Sequence, residues 1–175
     1  KLLEKDPQIK NIKAIQRLNK SINTVTELHE NLTDLLEKRT FQIIFVNIFD
    51  IVREVVHLHE PSYPNITFDI SKNSLIIDTN PNALKEVLHN IISNACKYNS
   101  HDGYVRIYEE NKILHIRNSG VEINETNKIF NRNYSEQNSS GIGLDIVKRL
   151  CDAMNIKIEV TSDEKSNCFS LIFNK

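Results

Sequence analysis

The feature of this sequence that most constrains its fold is a helical seam near the start of the chain. Apolar residues and one histidine recur at alternating spacings of three and four, at Ile15, Leu18, Ile22, Val25, His29, Leu32 and Leu36. This heptad pattern predicts a long helix, ending near Arg39, that packs along a partner helix and not on a sheet. Residues 1–5 form barely one turn, so we expect the partner upstream of Lys1, on a second subunit, or both.

After Arg39 the pattern changes to short apolar runs separated by turn signals. Strands are predicted at FQIIFV, NITFDI, SLIIDT, YVRIYEE, KILHIRN, KIEVTS and CFSLIF, and helices at IFDIVREVVHLH, NPNALKEVLHNIISNACKY and IGLDIVKRLCDAM. The HDG stretch predicts a hairpin turn between Asn99 and Tyr104, flanked by YVRIYEE and KILHIRN. The polar segment from Val121 to Ser140 predicts a loop with one short helix near 127–131. We therefore expect an α/β (α+β) domain at 40–175, with helices on one face of a sheet, after a helical segment at 1–39.

Composition excludes several classes of function. With 22 basic and 23 acidic side chains the charge nearly cancels, so nucleic acid and anionic membranes are not expected partners. No apolar run is long enough to span a bilayer, so we expect neither a membrane-spanning segment nor a signal peptide within these residues. Cys96, Cys151 and Cys168 are widely spaced, which predicts reduced thiols in a cytoplasm. Lys1 is not an initiator methionine, so we expect a longer protein.

The predicted helix at 81–98 carries an unusual polar stripe. At 100° per residue, Glu86, Asn90, Asn94 and Lys97 fall within an arc of roughly 80°, beside an apolar arc that should pack on the sheet. A solvated face is the ordinary explanation of such a stripe. However, asparagine is a weaker helix former than Glu, Lys or Gln, so two asparagines four apart suit a mere surface poorly. An amide oxygen is a good Mg²⁺ ligand, and lysine binds phosphate as a point charge.

Glycine is scarce and concentrated. Of four glycines, three lie between positions 120 and 143, at Gly120, Gly141 and Gly143. The SSGIG stretch leads straight into a predicted helix, where backbone N–H groups and the helix start favour an anion. The RNSG stretch closes a predicted strand with a polar side chain and a glycine. Each signal alone is also typical of an ordinary turn.

Taken together and in this order, the motifs resemble the ATP-binding catalytic domain of bacterial sensor histidine kinases, within the superfamily that includes gyrase, Hsp90 and MutL. LHNIISNACKYN is similar to the N box, N-x-x-x-N-A-x-K-Y, and RNSG to the first glycine box, D-x-G-x-G. NKIFNRNYS is similar to I-F-E-R-F-Y, and SSGIGLDIVK to the second glycine box. The resemblance covers Phe41 to Lys175 and implies a two-layer α/β sandwich of the Bergerat type, with a mixed sheet covered by helices on one face. The helix at 1–39 resembles the second helix of the dimerisation and phosphotransfer hairpin.

The resemblance also implies a role for individual residues. Asn94 would ligate Mg²⁺, and Asn90 and Lys97 would contact the phosphates of ATP. Asn118 would face the adenine amine, with Gly120 close to the base, and Arg132 would reach the γ-phosphate as a catalytic residue beside Lys97. The remaining residues implied to line the nucleotide site or anchor its lid are Tyr98, Ile123, Phe130, Ser140, Gly141, Ile142, Gly143 and Leu144.

Several positions depart from the family pattern. Asn118 replaces the aspartate that reads adenine, Glu122 the second glycine of that box, and Ser139 the first glycine of the second box. Loss of a charged acceptor at Asn118 predicts weaker binding by roughly 1 kcal/mol. The hydrolysing ATPases of the superfamily carry a glutamate base at the position of Asn90. An amide cannot act as a base, which favours phosphoryl transfer to a protein over hydrolysis.

None of the six histidines is placed at metal-ligand spacing with cysteine or acid, so we predict surface or packing roles for them. His29, in HENLTDL, spells almost like the phosphate-accepting H-E-x-x-T-P-L. Only about 15 Å of helix separates it from the first strand, too little for the remainder of a hairpin. Asp34 also replaces the proline of that motif. We therefore predict that the accepting histidine lies upstream of Lys1.

The predicted function is that of the cytoplasmic part of a sensor histidine kinase that binds Mg²⁺-ATP and is anchored in the inner membrane through segments outside this sequence. The implied partners are a cognate response regulator and a second copy, joined through the helical hairpin. One alternative is a sensor that acts mainly as a phosphatase of its regulator, as the altered glycine boxes allow. Another is a serine kinase of the anti-sigma type, which the heptad helix and Asn90 disfavour.

Overall fold

The computed structural model describes Ser21 and residues 42–131 and 143–173. The chain divides into two compact units, Lys1–Gln42 and Ile43–Lys175, and every strand and helix with described bounds belongs to the second. The predicted heptad helix, with His29, lies outside the described residues except for Ser21, which is helical and exposed. No helix in the described part of the chain is long and apolar enough to cross a membrane.

A small two-stranded sheet and a helix open the second unit. Strand β1 (Ile44–Asn47) pairs antiparallel with β3 (Ile76–Thr79), and helix α1 (Ile48–His59) follows β1 directly. The Asn47 side chain accepts hydrogen bonds from the backbone N–H groups of Phe49 and Leu75, so it caps α1 and ties it to the approach to β3. A short 3₁₀ helix, Glu60–Ser62, ends this segment at the proline predicted to stop it.

Helix α2 (Pro81–Lys97) forms the centre of the helical layer. Asn80 caps it by accepting from the Ala83 N–H at 2.8 Å, and Pro81 occupies the first turn, where its missing N–H is harmless. The side chains buried along one arc are Ala83, Leu84, Val87, Leu88, Ile91, Ile92, Ala95 and Cys96. The helix and its apolar arc are as the sequence predicts.

The main sheet has five strands in the order β2, β4, β5, β7, β6, with bounds Thr67–Ile70, Tyr104–Glu110, Ile113–Ser119, Ser166–Phe173 and Ile156–Ser162 respectively. Among the strands that the structure describes in this sheet, only the β2–β4 pair is parallel, so the sheet is mixed. Alternate side chains on one face are buried, namely Val105, Ile107, Leu114, Ile116, Phe169 and Leu171. Helix α2 packs on β4 and β5, and helix α3 (Gly143–Ala153) packs on β6 and against α2. The predicted two-layer sandwich, with helices on one face, is confirmed.

The prediction that the HDG stretch forms the hairpin turn is wrong. The two strands of the β4–β5 hairpin are joined by Asn111 and Lys112, whose φ angles of 54° and 64° give the two-residue turn that suits strand twist. The HDG stretch does turn, with the Gly103 N–H on the Ser100 carbonyl, but it links α2 to β4. Asparagine enters the left-handed region readily, so Asn111 and Lys112 form this turn without the glycine that usually marks it.

The polar segment after β5 also differs from the prediction. Residues 124–130 form consecutive turns with i to i+3 hydrogen bonds, from Lys128 N–H to Glu125 and from Asn131 N–H to Lys128, instead of a short helix. Helix α3 does end at the predicted place, because Asn155 has a φ of 56°. All three cysteines are free and buried, and burial raises the pKa of Cys96 to about 11 and of Cys151 to about 12, so both are neutral core side chains.

Candidate functional site

The polar stripe of α2 lies beside the buried arc of the same helix, as predicted. Asn90 and Asn94 are half-buried, whereas Lys97 is exposed at the end of the helix. The Asn94 side-chain amide makes no hydrogen bond with any residue that the structure describes, so its oxygen is available as a ligand. The Lys97 ammonium donates to the Tyr98 hydroxyl at 3.1 Å and lies 4.8 Å from the centre of that ring.

Asn90 connects α2 to the start of α3. Its amide nitrogen donates to the Glu86 carbonyl and to the Glu86 carboxylate, at 3.0 and 3.1 Å. Its oxygen therefore points the other way, towards Gly143. A Cβ on Gly143 would lie only 2.8 Å from Asn90 Oδ1, so with glycine at this position the two can approach without displacing the Asn90 side chain. The start of α3, where N–H groups favour an anion, thus lies against the polar stripe.

The end of strand β5 brings a second polar group to the C-terminal end of α2, where Lys97 lies. Asn118 is only 2% exposed, and its Nδ2 donates to the Ser119 carbonyl at 2.8 Å. Its Oδ1 accepts from no residue in the described ranges. A buried amide oxygen without a donor is uncommon and suits a ligand that brings an N–H group.

Gly120 sets the contact between β5 and α2. A Cβ on Gly120 would lie 2.6 Å from the backbone carbonyl of Tyr98, a distance that no side chain tolerates. Next to it, Asn99 and Gly120 form a bridge, and the Ser119 hydroxyl donates to Asn99 Oδ1 at 2.6 Å. The two motifs that are 20 residues apart in the sequence are therefore held together by backbone packing.

Sequence reasoning missed the residues that support this end of the sheet. Asn167, 3% exposed, lies directly opposite Asn118 in the β5–β7 ladder and donates to the Val121 carbonyl. The Ser162 hydroxyl donates to Asn167 Oδ1 at 2.5 Å and accepts from the Ile123 N–H at 2.7 Å. This pair anchors the backbone that follows Gly120. The signal in the sequence was a polar Ser-Asn pair at the start of a mostly apolar last strand.

The other predicted site residues divide into two groups. Leu144 is half-buried in the first turn of α3, and Phe130 is half-buried beside the buried Ile129, at the end of the turn segment. Glu122 is exposed, so this replacement of a glycine does not disturb the core. Arg132 and residues 139–142, which hold Ser140, Gly141 and Ile142, lie outside the described residues, so their roles stay predictions.

The residues present fit a purine nucleotide with a magnesium ion. Asn118 Oδ1 offers a buried acceptor of the kind that an exocyclic amine needs. Beside it, the backbone at Gly120 packs closely against the Tyr98 carbonyl. Asn94 offers an amide oxygen for a hard cation, and Lys97 offers a positive charge nearby on the same face of α2.

Comparison with known proteins gives one family. Residues 79–175 match the family described as histidine kinase-, DNA gyrase B-, and HSP90-like ATPase. The chain is 29% identical over 168 residues to the sensor protein kinase WalK of Staphylococcus aureus, covering 85% of this chain and 39% of that relative. The chain therefore spans about two fifths or less of the curated relatives that it matches, since the share is 27% for the protein of another strain.

Solved structures agree in fold. The catalytic domain of histidine kinase ThkA is 24% identical, with a TM-score of 0.63, and 75% of this chain covers 97% of that one. The mycobacterial sensor histidine kinase MprB gives 18% identity and a TM-score of 0.65 over 74% of this chain and 95% of that one. ThkA in complex with the response regulator protein TrrA gives 21% identity and a TM-score of 0.69, covering 95% of this chain and 51% of that one.

Proposed function

The chain belongs to the histidine kinase-, DNA gyrase B- and HSP90-like ATPase family, and on that basis we propose that it is the ATP-binding part of a sensor histidine kinase. In this proposal it binds Mg²⁺-ATP and donates the γ-phosphoryl group to a histidine that lies outside this sequence. The phosphoryl group then passes to an aspartate of a response regulator.

The observation that carries the proposal is the convergence of three elements along the C-terminal half of α2. The close approach of Gly120 to the Tyr98 carbonyl brings the end of β5 there, and the approach of Gly143 to Asn90 brings the start of α3. A buried acceptor, an amide that makes no hydrogen bond within the described ranges, and a lysine therefore border one region, which is what a nucleotide with a base, a metal ion and phosphates requires.

Roles within the site follow from these positions. Asn118 Oδ1 accepts from the adenine amine, and Gly120, Tyr98 and Ile123 border the base. Asn94 ligates Mg²⁺, which when bound neutralises charge on the phosphates, while Asn90 and Lys97 contact those phosphates. The start of α3 binds them through its N–H groups; the residues assigned there are Ser140, Gly141, Ile142, Gly143 and Leu144. Phe130 anchors the lid, and Arg132 reaches the γ-phosphate.

The reaction itself needs little covalent chemistry from this chain. A nitrogen of the accepting imidazole forms a bond to the γ-phosphorus while the bond from that phosphorus to the β–γ bridging oxygen breaks, and ADP leaves. Asn90 has an amide where a hydrolysing ATPase has a carboxylate base. An amide is not basic at neutral pH, because its nitrogen lone pair is delocalised into the carbonyl, so Asn90 cannot take a proton from water. This favours transfer over hydrolysis.

The wider arrangement extends beyond this domain. We assign residues 1–39 to the second helix of a dimerisation hairpin and residues 40–175 to the catalytic domain, so that two copies form a homodimer. Any membrane anchor lies in segments outside this sequence and leaves this part in the cytoplasm.

A second candidate function is a sensor that acts mainly as a phosphatase of its response regulator. The observation that favours it is a change at two positions of the glycine box that the family pattern places beside adenine. Asn118 has no charge where the pattern has aspartate, and the exposed Glu122 stands where the pattern has glycine. In that case the domain binds nucleotide weakly and serves as a conformational element.

Titration of Mg²⁺-ATP into the 175-residue chain by calorimetry tests the proposal. We expect saturable binding that Asn94→Ala and Lys97→Ala each weaken at least about tenfold, because the first removes a ligand of Mg²⁺ and the second a positive charge beside the phosphates. Asn82→Ala is the matched control, since Asn82 is an exposed asparagine in the first turn of the same helix. No binding at millimolar ATP contradicts the proposal. Binding without phosphoryl transfer to a histidine of the intact protein favours the phosphatase.

A further inference from the structure

The joint between α1 and α2 holds a pair of histidines that the nucleotide site does not use. His59, the last residue of α1, and His89, in the middle of α2, are 30 positions apart in the sequence. In the fold their nitrogens Nε2 and Nδ1 lie 3.2 Å apart, and their ring centroids 4.7 Å apart at an interplanar angle of 37°. Sequence spacing gave no sign of this pair.

We propose that His59 and His89 form a binding site for a divalent transition-metal ion of the Zn²⁺ class, which joins the end of α1 to α2. Imidazole nitrogen is a preferred ligand of Zn²⁺, Ni²⁺ and Cu²⁺. Two Zn–N bonds of about 2.0–2.1 Å at a tetrahedral angle place the two nitrogens about 3.3 Å apart. The observed 3.2 Å separation matches that distance, and it now belongs to a hydrogen bond between the two rings, which a bound ion would replace.

The surroundings of the pair leave it accessible to an ion. His89 is exposed and His59 half-buried, so an ion can reach both nitrogens from solvent. Burial and the neighbouring His89 both lower the pKa of His59, so its ring is neutral and able to ligate at neutral pH. The nearby Lys85, one turn before His89, is already paired with Glu54 of α1 at 2.5 Å, which reduces its repulsion of an incoming cation.

The site is of the open kind. Within the described residues no cluster of three or more histidine, cysteine or acidic side chains could hold a metal, so solvent supplies the remaining ligands. We therefore expect affinity well below that of a closed four-ligand structural zinc site. The buried cysteines do not compete, because Cys96, Cys151 and Cys168 all lie in the core.

Occupancy has a structural consequence. The α1–α2 joint is already held by the Lys85–Glu54 ion pair, and a metal ion at the histidines adds a second cross-link between the same two helices. An ion that binds the folded chain and not the unfolded one raises the midpoint of thermal unfolding, by an amount that grows with the logarithm of the ion concentration once that exceeds the dissociation constant.

The test is a titration of ZnCl₂ alone into the 175-residue chain, without nucleotide, in a non-chelating buffer at neutral pH. We expect one saturable site, weakened at least about tenfold by His59→Ala and by His89→Ala, and a zinc-dependent rise in unfolding temperature that both variants lose. His57→Ala is the matched control, because His57 is an exposed histidine two residues earlier in α1. It should bind zinc as the unchanged chain does.

A second measurement identifies the ligands. Electron paramagnetic resonance of the Cu²⁺-loaded chain should report two coordinated imidazole nitrogens, and one in either single variant. Unfolding temperatures without metal verify that the variants fold. The proposal is overturned by zinc binding that the double variant retains, by binding that depends on His57, or by no saturable binding at millimolar zinc. The test uses no ATP, so its outcome is separate from that of the proposed kinase function.

Discussion

One face of the main sheet is apolar towards one end and polar towards the other, although the same strands form both ends. Towards one end, Leu114 faces Leu171 and Ile116 faces Phe169 across the β5–β7 ladder, all of them buried. Two residues further along the same face, Asn118 faces Asn167, and Ser162 of β6 extends the polar row. The period of two residues keeps all these side chains under the helical layer, so the ladder that builds the core also delivers amides to a site.

The two buried amides of the polar row differ in how they are satisfied. Asn167 has a donor for its oxygen and an acceptor for its nitrogen, in Ser162 and Val121. Asn118 has only an acceptor for its nitrogen among the described residues. A buried polar group normally has a partner, so the fully bonded Asn167 supports the structure and the half-bonded Asn118 marks the place of a ligand.

The largest expected effect is a loss of stability when a buried apolar residue of the β5–β7 ladder is truncated. Ile116→Ala removes a side chain with no exposed surface and leaves a cavity between two strands and the helices, so the free energy of unfolding should fall by about 2–5 kcal/mol. Urea denaturation measures this change. The affinity of the folded fraction for Mg²⁺-ATP should stay within about twofold, because Ile116 supplies none of the polar groups assigned to the nucleotide. Ile43→Ala, at a position 62% exposed, is the control and should change stability little.

The next effect separates two glycines that border the site. The Cβ of Gly120→Ala meets a backbone carbonyl at 2.6 Å, which cannot rotate away, so stability should fall by about 1–3 kcal/mol. The Cβ of Gly143→Ala meets the end of the Asn90 side chain, which can rotate. Its stability should therefore stay within about 0.5 kcal/mol, while affinity for Mg²⁺-ATP falls several-fold because Asn90 is displaced.

Thermal unfolding and nucleotide titration of both glycine variants distinguish these outcomes. A stable Gly120→Ala protein contradicts the close packing of β5 on α2. Unchanged nucleotide binding by Gly143→Ala removes Asn90 from the site. Each variant adds the same methyl group. The difference between their stabilities therefore shows whether the added group displaces backbone, as at Gly120, or only a side chain, as at Gly143.

Much of this arrangement could be predicted from the sequence, because the signals were local. The apolar arc of α2, its Asn80 cap and the stop at Asn155 depend on residues within a few positions of each other. The motifs in order were specific enough to indicate the family, and the family match confirms that resemblance. The fold class followed from the same pattern.

What could not be predicted depends on register and on contacts between distant residues. The pairing of Asn118 with Asn167 requires knowing which strands are neighbours, and β7 is the last strand in the chain. The approach of His59 to His89 depends on how two helices cross. The β4–β5 turn was misplaced because its Asn-Lys pair lacks glycine, whereas HDG has the stronger local signal.

The smallest expected effect concerns the polar row itself. Asn118→Asp replaces an amide with a charged acceptor, which strengthens a hydrogen bond from the adenine amine by roughly 1 kcal/mol, or about fivefold in affinity. The same change removes the donor to the Ser119 carbonyl and buries a carboxylate, so the nucleotide-free protein should lose about 1–2 kcal/mol of stability. Tighter binding together with lower stability is the result that a ligand-facing Asn118 requires.

Asn167→Asp is the matched control, because it makes the same change one strand away at a residue whose amide is fully bonded. It should lower stability through loss of the bond to Val121 without any gain in affinity for Mg²⁺-ATP. Calorimetric titration and urea denaturation of the two variants give all four quantities. If Asn118→Asp binds ATP no better than the unchanged chain while Asn167→Asp behaves as expected, Asn118 Oδ1 does not face the base, and the polar row is then structural throughout its length.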